Sequence, residues 1–147
     1  MKFWENLEEN YPLMHPKDHV WVKCIQGKPT EVGCIWENKE YIAGEHLVQE
    51  KYRVVEAIPN KRIVSKLATF PRSLVATKLI LEITDHGDEI EVTETTHIGY
   101  DIPILGKIVD TIVTKGLGPI LPAVKTHEVE GLEFIKACLE GNRDGSS

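Results

Sequence analysis

Cysteine is scarce in this chain. The three residues, Cys24, Cys34 and Cys138, are an odd number at wide spacing. That fits neither a disulfide framework nor a CxxC zinc knuckle, and it leaves buried free thiols as the expectation. Basic residues are outnumbered as well: 17 Lys and Arg stand against 23 Asp and Glu, for a formal charge of −6. A protein that tracks nucleic-acid phosphates needs a basic stripe, whereas the lysines here are scattered among acids, so no nucleic-acid partner is expected. Long apolar runs are missing, none approaching the ~18 residues of a membrane span, so no membrane partner is expected either. The opening MKFWENLEENYPL has neither the basic nor the apolar region of a secretory signal, which points to a cytoplasmic protein. No period of 20 to 50 residues recurs, which sets aside repeat architectures.

The composition that is present is that of an ordinary globular protein, with 41% hydrophobic and 27% charged residues. A chain of 147 residues buries roughly 70% of its unfolded surface and needs no staple. One domain over residues 1–141 is expected, followed by a small polar tail over 142–147 that reads as disordered.

Residues 2–10, KFWENLEEN, place Phe3, Trp4 and Leu7 at helical spacing, which predicts a short amphipathic helix ended by Pro12 and serving as a flank. From His19 to about Thr96 the pattern becomes β-branched alternation broken by turn signals: HVWVKCIQ, TEVGCIWENKEYI, HLVQEKYRVVEAI, RIVSKLATF, SLVATKLILEIT and EIEVTETTHI. These predict about six antiparallel strands, with Gly87 of DHGD at positive φ. After Pro103, Leu105, Ile108, Val109, Ile112 and Val113 recur at helical spacing, and a second helical run covers about Pro119 to Leu139. The fold class is therefore α+β, a sheet curling around a long C-terminal helix that floors a cavity.

Several polar residues interrupt the apolar faces. A helical period lines up Ile120, Ala123, Val124, His127, Glu130, Gly131, Phe134 and Cys138 on one stripe, with His127 and Glu130 as neighbours three apart. Such a pair can share a metal, or Glu130 can be a solvated edge residue and His127 can bond a backbone carbonyl. On the second strand Glu40 shares a face with Cys34, Trp36, Asn38 and Ile42. An unpaired carboxylate there would lose several kcal/mol of hydration, so it needs a partner or a cation. Glu45 and Glu50 read as surface charges, although Glu50 shares a face with Val48, Tyr52 and Val54. His19 opens the first strand, and two imidazoles with two carboxylates suit zinc or a similar divalent ion. Trp21, Trp36, Tyr41, Tyr52, Phe70, Tyr100 and Phe134 could line a pocket for a ring-shaped ligand, or form core.

The order Tyr11…His15-Pro16-x-x-His19, then Gly33 seven residues before Glu40-Tyr-Ile-x-Gly44, and the late His127-x-x-Glu130-Gly-Leu resembles the metal-binding domain of 2,4-diacetylphloroglucinol hydrolases. That resemblance implies the helix-grip fold shared with START-like proteins and polyketide cyclases. It also implies a zinc-dependent hydrolase that cleaves a carbon–carbon bond between an acyl group and a phenolic ring. His19, Glu40, His127 and Glu130 would be the metal ligands, with glycine at position 131 where the family places its last one. Tyr11 would stand near the substrate. The chain is shorter than those hydrolases, so metal binding is expected to carry over ahead of the substrate.

Zinc would lower the pKa of bound water toward ~7 and polarise a carbonyl. Protonating the departing ring carbon would call for an acid such as Tyr11 or His15, with His97 in reserve. His15 reads equally as a turn residue ahead of Pro16. His46 and His86 lie in turn signals and take no role. The expected ligand is a small aromatic or polyketide molecule, and a homodimer is left open. The rival expectation is a START-like protein that binds a small hydrophobic ligand without turning it over.

Overall fold

In a computed structural model of the chain, residues 2–42, 44–70, 73, 77–87, 89–99, 115 and 121–144 are described. Two short helices, α1 (Lys2–Glu5) and α2 (Leu7–Met14), lead into six strands: β1 (His19–Gln26), β2 (Ile35–Ile42), β3 (His46–Ile58), β4 (Arg62–Leu67), β5 (Thr77–Asp85) and β6 (Ile90–Ile98). A long helix, α3 (Leu121–Asp144), follows. The strands pair antiparallel in chain order, β1 to β6, as a curved meander. Its tight connections carry the residues the backbone needs. Asn60 (φ 60°) and Gly87 (φ 88°) both take left-handed conformations, and the Gly87 N–H is held by the Asp85 carboxylate at 2.8 Å.

The inner face of the sheet is set by a bulge in β1. Strict alternation from His19 would place Trp21 and Lys23 inside. Instead the register shifts between His19 and Trp21, leaving Val20 exposed and turning both His19 and Val22 inward. His19 then stands opposite Glu40, Val22 opposite Asn38 and Cys24 opposite Trp36. On β3, Glu50 stands opposite Asn38 and Tyr52 opposite Trp36, the latter two rings stacked at 4.5 Å.

Two apolar clusters anchor this face. Leu7, Tyr11, Val22 and Ile135 join α2, β1 and α3. Cys34, Val54 and Ile63 fill the sheet beneath Trp4 and Trp36. The N-terminal segment is thus core and not a flank, since Leu7 and Tyr11 are buried. Nor does Pro12 end the helix, for it lies inside α2. One lost backbone bond there is outweighed by burying two large side chains on the same helix face, worth roughly 1.5–3 kcal/mol each.

Helix α3 runs past Leu139 to Asp144, into the segment expected as a tail; residues 145–147 lie outside the described residues. So do the helical run over 105–113, Ile120 and Tyr100. Against the sheet and α2 the helix turns Gly131 and Ile135. A Cβ on Gly131 would meet Met14 Cε at 3.2 Å, so the missing side chain lets α2 and α3 close. Cys24 and Cys34, read as separate thiols, are free but 3.1 Å apart at sulfur across the β1–β2 hairpin. None of the described helices is long and apolar enough to cross a membrane.

Candidate functional site

Three elements converge on one point in the wall. The turn His15–Asp18 follows α2, closed by His19 N–H to the His15 carbonyl at 2.8 Å, and folds β1 back under its own helix. The His19 ring stacks on Tyr11 with centroids 3.9 Å apart. Its Nδ1 lies 2.8 Å from the Tyr11 carbonyl, one of the last-turn carbonyls that α2 cannot satisfy itself. A carbonyl only accepts, so Nδ1 carries the proton and the neutral ring presents a bare Nε2. Burial lowers the His19 pKa against the pull of that carbonyl and of Glu40, favouring the neutral ring.

From α3, His127 brings its Nε2 to 2.8 Å from that of His19. Glu40 Oε2 lies 3.5 Å from the His19 nitrogen and 3.8 Å from that of His127. Tyr11 donates to Glu40 Oε2 at 2.5 Å, and Asn38 donates to Oε1 at 3.0 Å. Burial works against the Glu40 carboxylate, but His127, the Tyr11 hydroxyl and His19 together hold its pKa below the usual range. Glu40, with Asp18 behind it, pushes the His127 pKa up. Burial, with the same carboxylate, keeps the Tyr11 phenol protonated far above its ordinary range.

His19, Glu40 and His127 offer two nitrogens and an oxygen within 4.8 Å of one another, a donor set that suits zinc. Behind the rings stand the supports that metal-binding imidazoles use, a carbonyl for His19 and the Asp18 carboxylate 3.5 Å from His127 Nδ1. That second contact is not aligned as a hydrogen bond, so Nδ1 stays unsatisfied. Ligand nitrogens at ~2.1 Å from a tetrahedral ion lie about 3.4 Å apart, so the two rings would part by about 0.6 Å to admit one. These residues fit a divalent cation.

The remaining expected residues stand apart from this triad. Glu130 is half-exposed, its carboxylate 2.9 Å from His15 Nε2 but out of line for a hydrogen bond. His15 stacks on His127 at 4.2 Å and lines a shallow hollow with Met14, Pro16, Lys17, Asp18 and Glu130, behind the triad. His97 is exposed on β6, and His86 pairs with Glu91 at the surface. Phe70 is exposed, whereas Trp36 and Tyr52 line the cavity.

That cavity, about 840 Å³, lies between the sheet, α2 and α3, and the triad is part of its wall. Its lining is mostly apolar, including Leu7, Val22, Trp36, Ile63, Leu81 and Ile135. Two lining carboxylates, Glu94 and Glu128, escaped the sequence reading. Glu50, left open there because it shares a face with Val48, Tyr52 and Val54, lines the cavity and accepts a 2.6 Å bond from Tyr52, while Glu45 lines it as an exposed residue. Glu94 follows Ile90 and Val92 on the inner face of β6, a period-two signal present in EIEVTETTHI. Glu128 accepts from Thr96 at 3.0 Å and had no such signal, since the stripe through Glu130 turned the helix the wrong way.

A six-stranded antiparallel sheet wrapped on a C-terminal helix, with a His/Glu cluster in the wall between them, makes this a helix-grip protein. Among solved structures it is similar to ginseng major latex-like protein 151 from Panax ginseng, with a TM-score of 0.66 and 12% identity over 92% of this chain and 84% of that one. A second crystal form of the same protein gives 0.65. No protein-family model and no curated protein matches the chain. At this identity the likeness establishes the fold alone.

Proposed function

We propose that the protein binds a small, predominantly apolar molecule in the cavity. The observation that carries this is the cavity itself, whose 840 Å³ falls within the ~300–1,000 Å³ typical of ligand pockets and whose polar groups gather at a few wall positions. The likeness to a helix-grip plant protein supports the scaffold for such a role. The test is titration with the uncharged fluorophore N-phenyl-1-naphthylamine. Saturable one-site binding is expected, weakened at least ~10-fold in Leu79→Trp, whose indole would project into the space. Absence of saturable binding to the unmodified chain would overturn the reading.

A second reading is favoured by the two imidazole nitrogens that face each other beside Glu40. In it, His19, Glu40 and His127 hold zinc or another divalent cation, and the protein hydrolyses an acylated phenol or related polyketide. Zinc supplies a Lewis acid and a water acidic enough to ionise near neutrality. Tyr11 and Asn38 keep Glu40 ionised and aimed, and the Tyr11 carbonyl fixes the His19 tautomer. The apolar wall seats the ring. Tyr11, protonated and at the cavity wall, would be the candidate acid for the departing ring carbon. Elemental analysis after native purification, with acetate release from monoacetylphloroglucinol, tests it. Loss of both metal and turnover in His127→Ala is expected. A chain that takes up no zinc on incubation would sink it.

A further inference from the structure

Among the described residues lining the cavity there is no lysine and no arginine, while Glu40, Glu45, Glu50, Glu94 and Glu128 all lie on its wall. Three of these carboxylates have bonded hydroxyl or amide donors: Tyr11 and Asn38 for Glu40, Tyr52 for Glu50 and Thr96 for Glu128. Glu94 has no hydrogen bond or ion pair among the described residues. It sits half-buried on the inner face of β6 opposite Leu81. The charges that reach it are Glu128 from α3 and Glu40 from β2, offset only by His127. Burial, with those two carboxylates, raises its pKa to about 7. Glu94 belongs neither to the His19, Glu40 and His127 group nor to the second close group of donor atoms, His15, Asp18 and His127. Among the described residues the wall therefore offers Glu94 no lysine or arginine, and His127, the one charge that offsets its neighbours, is engaged with Glu40.

We infer that the cavity selects ligands carrying a basic nitrogen on an apolar or aromatic body, with Glu94 as the carboxylate that receives the ammonium group. This rests on the cavity reading above and names the chemical class of its ligand. Glu94 lines the cavity half-buried and without a protein donor among the described residues. An ammonium group therefore gains a charge-assisted bond there that displaces no hydrogen bond of the protein. A carboxylate-bearing ligand of the same shape meets like charge on the wall and is rejected.

The test uses calorimetry on the intact chain at pH 8, with EDTA present so that no stray metal binds the amine. Tryptamine, 3-ethylindole and indole-3-propionate present one ring system with an ammonium, a neutral or a carboxylate end. Tryptamine is expected to bind at least ~10-fold tighter than 3-ethylindole, with the propionate weakest. In Glu94→Gln, tryptamine should fall ~10-fold while 3-ethylindole stays within ~2-fold. Should 3-ethylindole or the propionate match tryptamine in the unmodified chain, the inference is overturned and the cavity reading stands. Should the amine preference survive in Glu94→Gln, the assignment to Glu94 is overturned. If none of the three ligands nor the neutral fluorophore binds, both readings fall.

Discussion

Glu40 and Glu94 are two inward-facing carboxylates in one cavity, and their neighbours drive them in opposite directions. Glu40 has Tyr11, Asn38 and two imidazoles about it, and its pKa is depressed. Removing one donor with Tyr11→Phe should cost about 1–3 kcal/mol in urea denaturation, the range for a buried acceptor left short of a bond. In a competition titration against a chromophoric chelator the same variant should lose ~10–100-fold in zinc affinity, as supports behind a metal ligand generally do. Unchanged zinc affinity would separate Tyr11 from the cation site. For Glu94 the sign reverses. Its folded pKa is raised from 4.5 to about 7. The unfolded chain therefore gives up this proton first, and the native state is penalised as pH climbs from 4.5, in full above 7. Glu94→Gln should accordingly be more stable than the parent by up to about 3 kcal/mol at pH 8 and roughly equal to it at pH 4.5. A stability gap that does not change with pH would refute this environment for Glu94. Glu40 and His127 could be picked out in the sequence because each interrupts an apolar face, and His19 because it opens the first strand. Asp18 could not, because its role comes from a turn that carries it behind His127.

At the level of elements, legibility followed the turn chemistry. The limits of β1 and β3 read directly from HVWVKCIQ and HLVQEKYRVVEAI because turn residues bracket both. The bulge after His19 did not, since alternation alone carries no mark of where an extra residue enters a ladder. Pro12 was misleading for a related reason. Local preference argues for a helix end there, and the tertiary burial of Leu7 and Tyr11 overrides it. The α2–α3 contact makes a direct prediction. Gly131→Ala adds helix propensity of about 1 kcal/mol and meets only the flexible end of Met14, so its net effect should lie near zero. Gly131→Leu has no such space and should destabilise by about 1–3 kcal/mol, as overpacked cores do. Met14→Ala in the same chain should recover part of that loss in urea denaturation. If Gly131→Leu is silent, the two helices are not in contact through this point.

For the molecule as a whole, the triad draws its three donors from β1, β2 and α3. A cation there would be bound by the folded state and scarcely by the open chain, whose donors are separated by 21 and 87 residues of sequence. Binding to the native state alone stabilises by about 2.7 kcal/mol at a hundred times the dissociation constant. For a chain of this size that corresponds to a rise in melting temperature of roughly 5–10 °C. Zinc should produce a shift of this order at pH 7.5, EDTA should reverse it, and His19→Ala or His127→Ala should abolish it. The shift should also shrink as pH falls, starting above the ordinary imidazole value of about 6.5. His127, whose pKa Glu40 raises, must then lose a proton to bind the metal, and that proton is held harder as the solution acidifies. Calcium, which prefers an oxygen shell, should leave the melting temperature unmoved. A zinc shift of equal size in the His127→Ala chain would place the cation somewhere other than the wall between sheet and helix.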